Sequence, residues 1–142
     1  MANILILGAG GIGLPVASAL KHEEYNLVLS DYSEEAIGKA KEYFFNRMFD
    51  SECSLDFHVG GAADYLDKNK LDFDIVVSAL PYYMNKEIAF ACVSAGVAYV
   101  DLGGHVETTN YIRKIAEEDG CAPVASDQGL APGLVNICAE EA

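Results

Sequence analysis

The sequence predicts a doubly wound parallel α/β sheet, and three observations carry that expectation. Short apolar runs alternate with helix-period segments along the whole chain. The first run is closed by a glycine-rich turn that opens a helix, and the second ends on an acidic residue. Alternation of this kind builds βαβ units, whose right-handed crossovers leave the strands parallel and put helices on both faces. The strand order expected for such a sheet is 3-2-1-4-5-6, the order of the Rossmann fold.

The elements follow in order. Asn3-Ile4-Leu5-Ile6-Leu7 is an unbroken apolar run, as a strand covered on both faces requires. A helix is expected from about Gly11 to Lys21, with Pro15 early enough to cost little because first-turn N–H groups lack intrahelical partners. Leu27 to Ser30 reads as the second strand, ending at Asp31. Ser33 is placed to cap the next helix, with Glu34 and Glu35 in its first turn. Ile37, Ala40 and Phe44 form its buried stripe, and Glu35 pairs with Lys39 on the wet side. Leu55 to Val59 is a weaker strand, and Ala62 to Lys68 a short helix or turn. Ile75 to Leu80 is a strong strand stopped by Pro81. Ile88, Cys92 and Ala95 make the next helical stripe, which Gly96 ends. Tyr99 to Leu102 is a strand opening into Gly103-Gly104-His105. Thr108 or Thr109 is expected to cap a helix carrying Ile112 and Ile115, which Gly120 closes. Pro123 to Ser126 is the last strand, and a final helix is expected from Pro132 onward.

At 142 residues, 51% hydrophobic and 22% charged, the chain is large enough for one core and too apolar for disorder. The Rossmann domain is read over 1–128, with 129–142 beginning a connection to a further domain. Twenty-two acidic residues against nine basic ones give a net charge of −13, which repels nucleic acid and anionic membrane surfaces. An anionic ligand must then be held by local dipoles, such as helix N-termini. Cys53, Cys92, Cys121 and Cys138 show neither CxxC pairing nor metal-type spacing with His22, His58 or His105. They read as buried thiols of a reducing, cytoplasmic compartment, and no metal is expected. The run Ile4 to Leu7 is too short for a signal sequence or a membrane span.

The chemistry is carried by Gly8-Ala9-Gly10-Gly11-Ile12-Gly13. This G-x-G-x-x-G turn follows a strand and opens a helix, the context that gives the motif its meaning. Gly8 permits the tight turn, Gly10 lets the backbone approach a pyrophosphate, and Gly13 lets the helix pack close to the strand. Asp31 ends the second strand about 20 residues on, where an acid accepts from the adenosine ribose hydroxyls and repels a 2′-phosphate. Tyr32, Ser33, Glu34 and Glu35 follow it, so NAD is expected rather than NADP. Ala79, Leu80 and Pro81 lie across the crevice, on the expected path of the nicotinamide half. Asp101 and His105 end the fifth strand on the same edge. They are candidates for acid/base chemistry there, or Asp101 for binding loop N–H groups.

The whole chain resembles the N-terminal domain of the saccharopine dehydrogenase-like family, and is most similar within it to lysine 6-dehydrogenases. The resemblance is carried by Ile6 to Gly13, by Ser78-Ala79-Leu80-Pro81, by Ala98 to Gly103, and by Asp127-Gln128-Gly129-Leu130-Ala131-Pro132-Gly133-Leu134-Val135-Asn136. It implies an oxidoreductase that moves a hydride between a nicotinamide cofactor and the C–N carbon of an amino acid such as lysine or saccharopine. Members carry a second α+β domain that binds substrate and often forms a homodimer, so this chain alone is expected to bind cofactor without turnover. Two other readings remain open. One is a polyamine-pathway imine reductase of the carboxynorspermidine type, and the other a non-catalytic NAD-sensing regulatory module.

Overall fold

The computed structural model describes residues 1–21, 24–46, 54–69, 72–119, 122–129, 133 and 138. Gly120, Cys53, Cys121, His22 and most of the segment from Pro132 onward lie outside the described residues. The described chain runs β1 (Ala2–Leu7), α1 (Gly13–Leu20), β2 (Tyr25–Asp31), α2 (Glu34–Phe45), β3 (Ser54–Val59) and α3 (Ala62–Asn69). It continues through β4 (Ile75–Ser78), α4 (Tyr82–Ala95), β5 (Ala98–Asp101), α5 (Val106–Asp119) and β6 (Val124–Ala125). The strands form a six-stranded sheet in the order β3-β2-β1-β4-β5-β6, as the alternation predicts. Every pairing is parallel.

β1 is central and explains its own composition. Successive side chains of a strand point to opposite faces, so Ile4 and Ile6 enter one core and Leu5 and Leu7 the other. On the first face they meet Leu27 and Leu29 of β2, Ala17 of α1, and the stripe Ile37, Ala40 and Phe44 of α2. On the second, Val76, Tyr99, Leu66, Ile88, Cys92 and Ile112 close the core beneath α3, α4 and α5. Each fully buried aliphatic side chain contributes about 1.5–3 kcal/mol, so both faces of β1 anchor the domain.

Several boundaries differ from the sequence expectation. α1 is bounded at Gly13 rather than at about Gly11, although Leu14 N–H already donates to the Gly10 carbonyl at 3.2 Å. β4 stops at Ser78: Ala79 N–H makes the last bond to β1, at the Leu7 carbonyl, and the chain then passes beside Gly8. Neither Thr108 nor Thr109 caps α5. The helix starts at Val106, both threonines lie in its first turn, and His105 takes the cap position. α4 ends as expected at Gly96, whose φ of +72° is left-handed. The expectation of uniformly buried thiols also needs correction, because Cys138 is exposed while Cys92 is buried.

Burial pushes the Cys92 thiol up to about 12, and the thiolate is the nucleophile. Alkylation of the folded protein at about pH 8, read by peptide mapping, therefore modifies Cys138 and spares Cys92 until denaturant is added. Equal labelling of Cys92 in the native protein contradicts this packing.

Candidate functional site

The site begins where β1 runs out. Gly8 takes a φ of +99°, a conformation that glycine enters without steric cost. Its N–H donates to the Ser30 carbonyl of β2 at 2.8 Å, and Ala79 N–H donates to the Leu7 carbonyl at 2.8 Å. The turn is thereby stitched to the ends of both neighbouring strands. A Cβ on Gly8 would meet the Ala79 carbonyl oxygen at 2.9 Å, and one on Gly13 would fall onto the Gly8 carbonyl oxygen. By contrast, a Cβ at Gly10 or Gly11 would meet nothing within 4 Å. Two of the glycines are thus demanded by the fold, while the other two border open space.

That space lies in front of a bare helix N-terminus. Ile12, at the start of α1, makes no side-chain cap bond, and no acidic residue occupies the first turn. The N–H groups of Gly11, Ile12 and Gly13 have no partner among the described residues. α2 is the internal control. There the Ser33 hydroxyl accepts from Ala36 N–H at 3.2 Å, and Glu34 and Glu35 occupy the first turn. An uncapped N-terminus retains about half a positive elementary charge and donors aimed outward, which together suit a phosphate.

Asp31 ends β2 beside this turn. One carboxylate oxygen accepts from Ala9 N–H at 2.7 Å, the other from Ser33 N–H at 2.8 Å. The side chain therefore braces the glycine turn against the start of α2. A carboxylate has roughly four lone-pair sites, so two remain for hydroxyl donors. Tyr32, next to it, is 82% exposed. On the adjacent edge of β3, His58 bonds Ser30 Oγ at 3.1 Å and stacks on Tyr65 at 3.8 Å.

Across the switch point the residues divide. Ala79 and Leu80 touch the Gly8 turn, and Pro81 precedes α4, whose N-terminus also lacks a side-chain cap. Asp101 is buried, and its carboxylate accepts from Gly103 N–H at 2.7 Å, Ser126 Oγ at 3.0 Å and Asp127 N–H at 3.3 Å. Of the two roles left open for it, loop bracing is the one its hydrogen bonds serve. Asp127 shows the single left-handed φ of a non-glycine residue among those described, +64°. Its carboxylate accepts from Thr109 Oγ1 at 2.9 Å and Arg113 at 3.2 Å. Sequence reasoning missed this role for Asp127, although Gly103, where a Cβ would strike it, gives the signal in retrospect. Also missed was the stacking of Tyr82 on His105 at 4.7 Å, which joins the starts of α4 and α5. Tyr99 is fully buried, its hydroxyl has no hydrogen-bond partner among the described residues, and burial, with the Asp101 carboxylate nearby, drives its ionisation upward.

A hollow of about 450 Å³ lies at this edge, lined by His105, Thr109, Asn110, Arg113 and Asp127. A larger one, about 590 Å³, lies at the far end of α2 against Phe44, Phe45 and Phe57 and shares no residue with the glycine turn. Size alone therefore does not locate the chemistry. Among the described residues no three His, Cys, Asp or Glu side chains gather as a metal ion requires.

Taken together, the parallel sheet, the open glycine turn and the strand-end acid define a dinucleotide-binding domain. The chain belongs to the family described as the saccharopine dehydrogenase NADP binding domain, whose model matches residues 4–125. It is 26% identical over 141 residues to the mitochondrial alpha-aminoadipic semialdehyde synthase of Bos taurus, covering 98% of this chain and 14% of that protein. The Rattus norvegicus protein of the same name is 27% identical over 141 residues, with the same coverage. Apo saccharopine dehydrogenase (L-Glu forming) from Saccharomyces cerevisiae superposes with a TM-score of 0.77 at 19% identity, over 99% of this chain and 30% of that one. The chain thus spans about a seventh of the length of its mammalian relatives.

The glycine geometry separates structural from ligand-facing positions. Gly13→Ala lowers unfolding stability by about 1–3 kcal/mol, the cost of overpacking, whereas Gly10→Ala stays within about 0.5 kcal/mol. Urea denaturation of the two variants checks this, and equal losses would contradict the assignment.

Proposed function

We propose that the chain is the cofactor-holding part of an NAD-dependent oxidoreductase acting on the C–N carbon of an amino acid of the lysine or saccharopine type. The observation that carries it is the uncapped start of α1 behind Gly10 and Gly11, beside the pinned carboxylate of Asp31. When bound, the nicotinamide supplies hydride transfer. The residues of this chain bind and orient the rest of the cofactor. Gly10 and Gly11 admit the pyrophosphate, and the free N–H groups of α1 neutralise it. Asp31 receives the ribose hydroxyls on its remaining lone pairs. Ala79, Leu80 and Pro81 guide the cofactor towards β5. The amino-acid substrate class is supported by the names of the relatives, and turnover with homodimer formation belongs to a longer protein that includes a substrate domain.

The preference for NAD is supported by charge, against a family described as NADP-binding. A 2′-phosphate at the ribose site would lie against Asp31. Two unit charges about 4 Å apart near a protein surface interact by about 4 kcal/mol. The residues that follow offer no relief, because Glu34 and Glu35 add negative charge and Lys39 is already held by Glu35 at 2.7 Å. Ser33 accepts from Ala36 N–H in capping α2 and is neutral, so it brings no positive charge to offset a phosphate.

NADH therefore binds at least about tenfold more tightly than NADPH, equivalent to about 1.4 kcal/mol. Asp31→Ser narrows the gap chiefly by improving NADPH affinity. Fluorescence titration of the two reduced cofactors measures both, and equal affinity for the unaltered protein defeats the Asp31 argument.

A further inference from the structure

The carboxyl edge of β4 and β5 holds an aromatic arrangement that pyrophosphate and ribose binding do not use. Tyr82 opens α4, His105 precedes α5, and their rings stack at 4.7 Å with 17° between their planes. Tyr83 packs edge-on against Tyr82 with centroids 5.9 Å apart. The position of His105 is tightly set. Gly103 and Gly104 are both left-handed, with φ of +73° and +103°, and turn the chain back from β5. Asp127 packs against Gly103 and is itself tied to Asp101, Thr109 and Arg113.

The imidazole is also oriented. Thr108 N–H donates to Nδ1 at 3.4 Å, and Thr108 Oγ1 lies 3.0 Å from the same nitrogen. A backbone N–H can only donate, so Nδ1 accepts and the neutral ring carries its proton on Nε2. Nε2 has no partner among the described residues. Helix capping alone does not account for this arrangement, because short oxygen-bearing side chains cap best and a cap has no use for a stacked tyrosine.

We infer that Tyr82 and His105 form the seat of the nicotinamide ring, with His105 Nε2–H donating to its carboxamide oxygen. The inference rests on the dinucleotide reading of the glycine turn. In the order β2-β1-β4-β5, three strand spacings separate the Asp31 position from the end of β5, about 14 Å at about 4.8 Å each. A dinucleotide anchored by its ribose at Asp31 and its pyrophosphate at Gly10 carries the nicotinamide towards this side. The ring pair supplies what a nicotinamide needs: an apolar wall and one placed donor. Tyr82 is 45% exposed, so the wall is reachable. His105 is thereby a positioning residue for the reacting ring.

ADP-ribose, which lacks only the nicotinamide, separates this inference from the reading beneath it. His105→Asn keeps a competent cap, and Tyr82→Leu removes the wall without touching the cap. Each variant is expected to bind NADH about tenfold more weakly, as the loss of one hydrogen bond or ring contact implies. ADP-ribose affinity stays within about twofold, well under the tenfold that 1.4 kcal/mol represents. Equal losses for both ligands, or no loss for NADH, overturn the inference. If the unaltered protein fails to bind ADP-ribose, the glycine-turn reading falls instead. Nitrogen-15 spectra of the unaltered protein give an answer independent of variant folding: NAD shifts the His105 Nε2 resonance and ADP-ribose does not. No shift with NAD overturns the inference.

Discussion

The close seating of α1 on the end of β1 sets the position of every group at the carboxyl edge. Gly13 lies so near the Gly8 carbonyl that no side chain fits between them. That approach draws the helix start in behind the turn and leaves its first N–H groups facing outward. Gly8, in turn, is tied to β2 through Ser30, while Leu7 and Ala79 tie the same point to β4. A shift of α1 would therefore disturb the ends of three strands at once. In a close-packed interior such a shift is resisted by both cores, because Leu5 and Leu7 lock one face of β1 as Ile4 and Ile6 lock the other.

Against that rigid frame, the acidic character of the chain is less paradoxical than its charge of −13 suggests. Exposed charges act through water and are screened over about 8 Å at physiological salt. A charge-assisted hydrogen bond from an oriented N–H contributes about 1.5–3 kcal/mol at contact distance, so the local donors decide the matter. The carboxylates nearest the edge are also used as internal acceptors. Asp31 takes the N–H groups of Ala9 and Ser33, Asp101 those of Gly103 and Asp127, and Asp127 holds Thr109 and Arg113. Each of these carboxylates thereby braces a loop as well as carrying charge.

Much of this was legible in the sequence, and the division follows the range of the interactions. The alternation of apolar runs and helical stripes gave the strand order, since period-two and period-3.6 patterns report which face is buried. Gly8 to Gly13 and Asp31 were legible because spacing within one βαβ unit fixes their relative position. His105 as the cap of α5 was not, because its placement depends on two left-handed glycines and on Asp127, brought in from beyond β6. The threonines looked like better caps by residue type, yet Thr109 Oγ1 was committed to Asp127 across the fold. Likewise the end of β4 at Ser78 is set by the Gly8 turn of another unit, whereas the run to Leu80 reads as continuous strand. Contacts between units override local propensity at the edge where the units meet.

The distribution of helix caps around that edge follows the same logic. α2 is capped by Ser33 and reinforced by two glutamates, and α5 is capped by His105. Among the described helices, α1 and α4 have neither a side-chain cap nor a first-turn acid, and they follow the two strands flanking the switch point. A capped N-terminus has its dipole and donors already satisfied, so it has little to offer an anion. Leaving the helices uncapped at β1 and β4 concentrates the unsatisfied donors of an acidic domain at one crevice. Capping thus acts here as a means of localisation: among the described helices it leaves uncapped starts at the two strands that flank the switch point.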